Sequence, residues 1–432
     1  MGKTESHIIS TAKELKQNRL FMPQGTRANS PGKVNVFDRW LVHKLLENIG
    51  KPSLSFILWN NEEITSPEIK KPLARIRIRS RYALYKLLQY PELNFGDLYS
   101  IGIVDVEGDL PSSLVEIYRA IKSMGSKSIL RYLKNPFRQR HSLNEARQNI
   151  HHHYDIGNEF YKLWLDSVAM QYTCAYYPDP AMTLEQAQVA KMHHVCRKLQ
   201  LKQGQTVVEA GCGWGGLGLF MAREYGVNVK AYNISHEQIV YASQRATETG
   251  MTQQVEYIED DYRNIKGVYD VFVSIGMLEH VGIDQYQELS DVIDRCLKPQ
   301  GTGLIHSIGR NQPSLLNEWI ATRIFPGARP PSISQMMTIF EPKEFSILDI
   351  ENLRLHYAKT LEHWLARFDQ NADQFRKTYD EEFIRAWRLY LAGSIAAFTS
   401  GNMQLFQVVF TRPHNNNLPW SRAHLYKDQP HS

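Results

Sequence analysis

Apolar and polar positions follow two rhythms along this chain. Residues 34–48 place apolar side chains at helical spacing, and "SLSFILWNNEEIT" (53–65) reads as a strand, a turn at Asn60 and Asn61, and a second strand. In "KKPLARIRIRSRYALYK" (70–86), Arg75, Arg77, Arg79 and Arg81 alternate with Ile76, Ile78 and Ser80, the period of a strand with arginines on one face. "YALYKLLQYPELNFGDLYSIG" (82–102) predicts a helix stopped near Pro91, then another short element. From about residue 185 the rhythm becomes regular. Helices are expected over 184–199, 215–225, 235–248 and 284–297, and strands over 205–210, 227–232, 254–258, 269–275 and 301–308. Such alternation predicts an α/β fold: a doubly wound, Rossmann-like parallel sheet covered on both faces, with a smaller α+β domain before it. The expected boundaries are an N-terminal domain over 1–130, a linker over 131–150 and a catalytic domain over 151–432.

Composition adds bounds. The 432 residues are 43% hydrophobic and 22% charged, enough apolar material for a sizeable core. No run of about 18 uncharged apolar residues appears, and "MGKTESHIISTAKELK" lacks the apolar stretch of a signal peptide, so a cytoplasmic protein is expected. Cys174, Cys196, Cys212 and Cys296 are scattered without metal-ligand or disulfide-framework spacing, which fits a reducing compartment. His151, His152 and His153 have no suitably spaced partner, so no metal is expected. The net charge of +5 is divided unevenly: residues 1–150 hold 24 Lys+Arg against 14 Asp+Glu, a balance of +10, leaving −5 for the rest. The arginine stripe is either a solvated strand face or a surface that meets phosphate groups of lipid or nucleic acid.

The chemistry centres on "VVEAGCGWGGLGLF" (207–220). Gly211, Gly213 and Gly216 satisfy G-x-G-x-x-G after a strand, a pattern that lets backbone N–H groups approach a nucleotide. A dinucleotide site would also want an acid about 20 residues on, where this chain has Asn233. Instead Glu209 precedes the glycines, giving E-x-G-x-G, which suits a cationic ligand better than a pyrophosphate. The arrangement resembles motif I of the S-adenosylmethionine (SAM) methyltransferases. Asp260, Asp261 and Tyr262 in "IEDDYRNI" follow the third strand, where such folds hold adenine. The residues expected at SAM are Glu209, Gly211, Gly213, Gly216, Asn233, Gln238, Asp261 and Tyr262, with Tyr172 and Thr173 from a lid. Glu209 is expected to act either by contact or through structure.

Several strings go beyond generic SAM binding. "YDIGNEFYKLWLD" (154–166), "QYTCAYYPD" (171–179), "EAGCGWGGLG" (209–218), "GMLEHVG" (276–282), "LIHSIG" (304–309), "WIATRIFPGARPPS" (319–332), "LARFD" (365–369) and "QLFQVVF" (404–410) together resemble the cyclopropane-fatty-acyl-phospholipid synthases and related mycolic acid cyclopropane synthases. The likeness runs in order from about residue 140 to 411. Before 140 it is looser, carried by "NFGDLYSIGIVDVEGDL" (94–110). It implies methyl transfer from SAM to the cis double bond of an unsaturated acyl chain in a membrane phospholipid, followed by loss of a proton and ring closure.

The resemblance also implies a bound bicarbonate ion as base, held by the Cys174 and Ile308 backbones, Glu279, His306 and Tyr390, and a lid formed by Tyr154, Gly157, Asn158, Phe160, Tyr172 and Thr173. Ser394 stands where the family often has a second cysteine, which leaves those five positions intact. An alkene is a poor nucleophile and its attack on a methyl builds a carbocation, so the site must be dry and aromatic-lined. The implied partner is the bilayer surface, met peripherally at the inner face of the membrane by a basic N-terminal domain. Nucleic acid is not expected, and homodimerisation is left open. The alternatives are methyl or methylene transfer to lipid, N-methylation of a small amine, and a non-enzymatic SAM- or lipid-binding protein.

Overall fold

A computed structural model describes residues 32–124 and 156–426. Its contacts divide the chain into two units. One holds the chain to residue 136 together with 317–326 and 365–400; the other holds 137–316, 327–364 and 401–432. The sequence reading grouped 317–326 and 365–400 with the catalytic part.

In the first unit the helix Val36–Asn48 opens on a capping box, with Asn35 Oδ1 accepting from Asp38 N (2.9 Å) and Asp38 Oδ2 accepting from Asn35 N (2.9 Å). Strands β1 (Leu54–Ile57), β2 (Glu63–Thr65), β3 (Ala74–Ile78) and β4 (Val104–Glu107) form a sheet in the order β2-β1-β3-β4. Only the first part of the period-two stripe forms β3, with Ile76 and Ile78 buried beside Leu41, Leu45 and Leu84 and Arg75 and Arg77 turned outward; Arg79 follows the strand, and Ser80 caps the helix Arg81–Gln89, which Arg81 opens. Each arginine meets an acid: Arg75 Nε and Glu63 at 3.2 Å, Arg77 Nε and Glu107 at 2.6 Å, Arg79 and Asp105 at 3.7 Å, Arg81 and buried Asp38 at 2.7 Å.

The late segments join this unit through side chains. Arg385 of the helix Glu381–Thr399 donates to Tyr99 O (2.7 Å) and pairs with Asp105 (3.2 Å), with its guanidinium 4.3 Å from the Tyr99 ring centroid. Arg323 grips Asp97 with two bonds of 3.1 and 2.9 Å, and Gly96 admits the Trp319 indole, which a Cβ would meet at 2.4 Å. Pairs separated by more than two hundred positions leave no local pattern, which is why this grouping was not read from the sequence.

The second unit is built on seven strands: β5 (Thr206–Ala210), β6 (Asn228–Asn233), β7 (Val255–Glu259), β8 (Tyr269–Ile275), β9 (Leu297–Gly309), β10 (Ser346–Asn352) and β11 (Gln404–Thr411). Their order is β10-β11-β9-β8-β5-β6-β7, parallel from β9 to β7 and antiparallel where β11 meets β9 and β10. Apolar clusters pack on both faces, one including Val207, Val229, Val271 and Phe220, the other Val208, Phe272, Val292 and Ile305. The strand order reverses between β5 and β8, and open sheets of this kind bind ligands outside the C-terminal ends of such neighbours.

Candidate active site

Three segments meet at that reversal. After β5 the chain turns through Gly211, Gly213 and Gly215 at φ +83°, +54° and +77°, a left-handed path that other residues take at a cost. A Cβ on Gly213 would meet nothing within 4 Å, so the backbone there is open to close approach, whereas one on Gly211 would lie 2.8 Å from Met277 Cβ. Asn233, at the end of β6, donates to Gly213 O (3.3 Å) and to Gln238 Oε1 (2.7 Å), bringing both predicted residues to the turn. Trp214 Nε1 donates to Asn158 Oδ1 (2.7 Å), tying the expected lid to the same turn. Tyr154 lies outside the described residues.

Glu209 is buried, and its Oε2 accepts no hydrogen bond from the described residues. Burial pushes its carboxyl up to about 8, with the Lys191 ammonium opposing. Oε2 would lie 3.2 Å from a Cβ on Gly218, behind the turn and on the helix side. Asp261 is buried, and both its oxygens bind the Arg263 guanidinium (2.7 and 3.0 Å); neighbouring Tyr262 is buried with its hydroxyl unpartnered among the described residues.

The segment 169–174 crosses between two turns. Ala169 O and Gln171 Nε2 press on Gly216, where a Cβ would meet them at 2.2 and 2.8 Å, and the Thr173 methyl presses on Gly276 at 2.9 Å. Around it stands an aromatic wall: Tyr172 lies 5.5 Å from Tyr161, 5.2 Å from Trp164 and 5.3 Å from Trp364 between ring centroids, and Tyr161 lies 4.9 Å from Trp214.

A second group sits at the ends of β8 and β9. Gly276 N donates to His306 O (2.9 Å), and Ile308 N donates to Glu279 Oε1 (2.6 Å). Burial raises the Glu279 carboxyl to about 7 against the pull of the Ile308 and Glu279 amides and the Ser307 hydroxyl, and its Oε2 has no partner among the described residues. His306 is buried on β9 with Nδ1 3.0 Å from Gln407 Nε2 on β11; its Nε2 is likewise unpartnered among the described residues. Burial, then the charges of Lys191 and Lys198, hold the ring well below its ordinary value and therefore neutral. Donation from the Gln407 amide to Nδ1 would leave the ring proton on Nε2. The buried Cys174 thiol donates to Ala175 O (3.1 Å) and burial raises its pKa, so it is no thiolate.

Tyr390 belongs to the first unit, where it meets Phe325 edge-on at 5.5 Å and Trp387 at 5.4 Å. Tyr357 is one of several buried tyrosines in the second unit and lies on the helix Arg354–Gln370; on that helix Thr360 Oγ1 accepts from Ala175 N (3.0 Å) and His356 Nδ1 from Tyr177 N (3.0 Å). The sequence reading passed over Tyr357. It also passed over Lys191 and Gln407, although Lys191 falls on the buried face of a helix that was predicted.

A family model described as mycolic acid cyclopropane synthetase matches residues 141–408. The chain belongs to that family. It is a SAM-dependent methyltransferase by fold and kinship. A curated cyclopropane-fatty-acyl-phospholipid synthase of Escherichia coli K12 is 41% identical over 62% of this chain and 69% of its own. A probable fatty acid methyltransferase of Pseudomonas putida is 34% identical over 79% of this chain and 88% of its own. The solved structure of mycolic acid cyclopropane synthase CmaA1, complexed with SAH and CTAB, superposes with a TM-score of 0.59 at 29% identity, covering 62% of this chain and 98% of that one. Among the described residues, no helix is long and apolar enough to cross a membrane and no cluster could hold a metal ion.

Proposed function

We propose that this enzyme transfers the methyl group of SAM to the cis double bond of an unsaturated acyl chain in a membrane phospholipid and then removes a proton to close a cyclopropane ring. The observation that carries this reading is the pair of buried, unpartnered atoms Glu279 Oε2 and His306 Nε2 at the ends of the two strands beside the glycine turn. A buried polar atom left without a partner costs about 1–3 kcal/mol, so such atoms mark a place that a ligand completes.

The turn fits SAM: its backbone is open at Gly213, Asn233 and Gln238 stand beside it, and Tyr262 offers a buried hydroxyl. Asp261 would serve through its backbone, since Arg263 occupies its oxygens. When bound, SAM supplies an electrophilic methyl group on sulfur. The alkene π pair forms the new carbon–carbon bond as the carbon–sulfur pair leaves with sulfur. Tyr161, Trp164, Tyr172 and Trp364 exclude water from the cation that remains. One methyl C–H bond then breaks, its electron pair closing the ring and its proton passing to a base.

A bicarbonate ion suits that role. Neutral His306 would donate to it from Nε2–H and Glu279 would take the anion's own proton in a hydrogen bond; the Ile308 amide would act through Glu279, to which it already donates, and the resemblance adds the Cys174 backbone. The tyrosine of the set is Tyr390 or, within the same unit as Glu279, Tyr357. Docking to the bilayer would use exposed Phe37, Trp40, Tyr82 and Tyr85 of the first unit, with Lys44 over the Trp40 ring and Lys86 over the Tyr82 ring, because rings of this kind favour the headgroup level. Incubating the protein with methyl-labelled SAM and vesicles of cis-unsaturated phospholipid tests the reading. A product heavier by one CH₂ with cyclopropyl proton resonances is expected; a saturated methyl branch would instead favour the fatty acid methyltransferase activity named for the Pseudomonas putida relative, and no lipid product would overturn both.

A further inference from the structure

Lys191 lies in the middle of the helix Leu184–Leu199 with no solvent exposure at all. Its ammonium donates to Gln171 Oε1 and to Thr173 Oγ1 (3.1 Å), two neutral acceptors, and among the described residues no carboxylate oxygen comes within ion-pair distance. Placing a lysine where it is neither wet nor directly paired costs several kcal/mol, and a core position of this kind would be better filled by methionine or leucine.

The acceptors explain its presence. Gln171 and Thr173 press on Gly216 and Gly276 respectively, with Ala169 O also against Gly216. One helical turn earlier, Gln188 Nε2 donates to Thr173 O (2.9 Å), so the helix holds this segment by backbone and side chain alike. The segment needs holding. Met170 sits at φ +52°, a conformation unfavourable for a side-chain-bearing residue, and the bend persists because Asp166 accepts from Ala169 N and Gln171 N, both at 2.7 Å.

We propose that Lys191 is a positioning residue for this reaction, whose buried ammonium pins Gln171 and Thr173 so that the stretch 171–174 stays across the crevice between the two glycine turns. The proposal rests on the methyl-transfer reading given above, since that stretch carries Tyr172 and Thr173 toward SAM and Cys174 toward the anion. The same fixed charge sets the local electrostatics. It favours an anion nearby and opposes a second cation, which is one reason that His306 stays neutral. Burial lowers the lysine to about 8, with Asp166, Cys174, Glu209 and Cys196 opposing; Glu209, itself raised by burial, is the acid whose loss would weaken the ammonium further.

The test is Lys191→Met, a neutral side chain of similar length, in the full-length enzyme. Turnover should fall about 10- to 100-fold, the loss expected when two charge-assisted bonds disappear. Hydrogen exchange at the amides of 171–175, measured without ligand, should quicken while the rest of the sheet is unchanged. The wild-type rate should decline as pH rises through about 8 and the ammonium is lost; Lys191→Met should lack that limb, and Glu209→Gln should move it to lower pH. Lys191→Arg should recover part of the rate. If Lys191→Met does not fold, Thr173→Val removes one acceptor without touching the helix and should quicken the same amides. Native turnover, native exchange at 171–175 and an unmoved pH limb, with only the melting temperature lowered, would reduce Lys191 to a core residue and overturn the proposal. If instead the wild-type enzyme is indifferent to bicarbonate depletion while Lys191→Met still frees the segment, the anion reading falls and the positioning role stands.

Discussion

On the four-stranded sheet Arg75, Arg77 and Arg79 each meet a carboxylate while partly exposed to water, whereas on the seven-stranded sheet Glu209, Glu279 and His306 each keep a buried atom without a partner. Exposed pairs are worth about 0–1 kcal/mol apiece and are screened by salt, so the stripe neutralises itself and presents little free charge to a phosphate. The buried atoms carry a cost that nothing among the described residues offsets. Unmet bonding capacity at depth distinguishes a site from a surface more sharply than the density of charged residues does.

The severest way to break the second sheet's side of this contrast is Gly211→Val. A β-branched residue at φ +83° and 2.8 Å from Met277 Cβ must displace the turn. SAM affinity should drop more than ~100-fold by calorimetry, while circular dichroism stays that of a folded protein.

Next come His306→Gln and Glu279→Gln. Each should lower turnover about 30- to 1000-fold with SAM binding nearly intact, and added bicarbonate should restore part of the rate by mass action. Glu279 adds a signature in stability. Its folded value near 7 stands above the ordinary 4.5, so the native state is relatively favoured below pH 4.5, and that advantage is lost as pH rises through 7. Glu279→Gln should therefore be more stable than the wild type at pH 8, by up to about 3 kcal/mol, and not at pH 4. Denaturant melts at the two pH values decide it; equal differences at both would mean that the carboxyl is not desolvated.

Tyr357→Phe and Tyr390→Phe sharpen the contrast within the aromatic residues. The tyrosine that serves the anion should cost about tenfold or more in turnover, and the other little. Equal, small effects for both would remove a tyrosine from the set.

The smallest effect belongs to the stripe. Arg75→Gln with Arg77→Gln should change stability by about 1 kcal/mol or less and leave SAM affinity untouched. Vesicle binding should respond more to Phe37→Ser with Trp40→Ser than to the arginine pair, a ranking that co-sedimentation across a salt series can reverse.

The parallel half of the large sheet was legible because each of its elements repeats a local period: the helix Leu184–Leu199 and strand β8 lie where the pattern puts them. Strands β10 and β11 were not. β11 is buried at every position and β10 is partly or fully exposed along its length, with no position buried, so neither shows one buried and one exposed face. At the site, the glycines and Glu209 announced themselves by spacing, and Glu279 and His306 only through the joint resemblance. Gln407, Tyr357 and Lys191 depend on tertiary neighbours, and a residue type on a predicted helix or strand does not say what it will touch. Tyr390 shows the converse, since the resemblance supplied a role before the fold supplied a location.

The position of β11 has a consequence for how the protein is made. Gln407, whose amide lies 3.0 Å from His306 Nδ1, is on β11, the last strand among the described residues, and that strand inserts between β9 and β10 rather than adding at an edge. A ribosome that has finished the glycine turn, Glu279 and His306 has therefore still not supplied the side chain that faces the His306 ring across the sheet. A polypeptide that terminates near residue 400 would leave a gap inside the sheet and exposed edges on two strands, a form prone to aggregation.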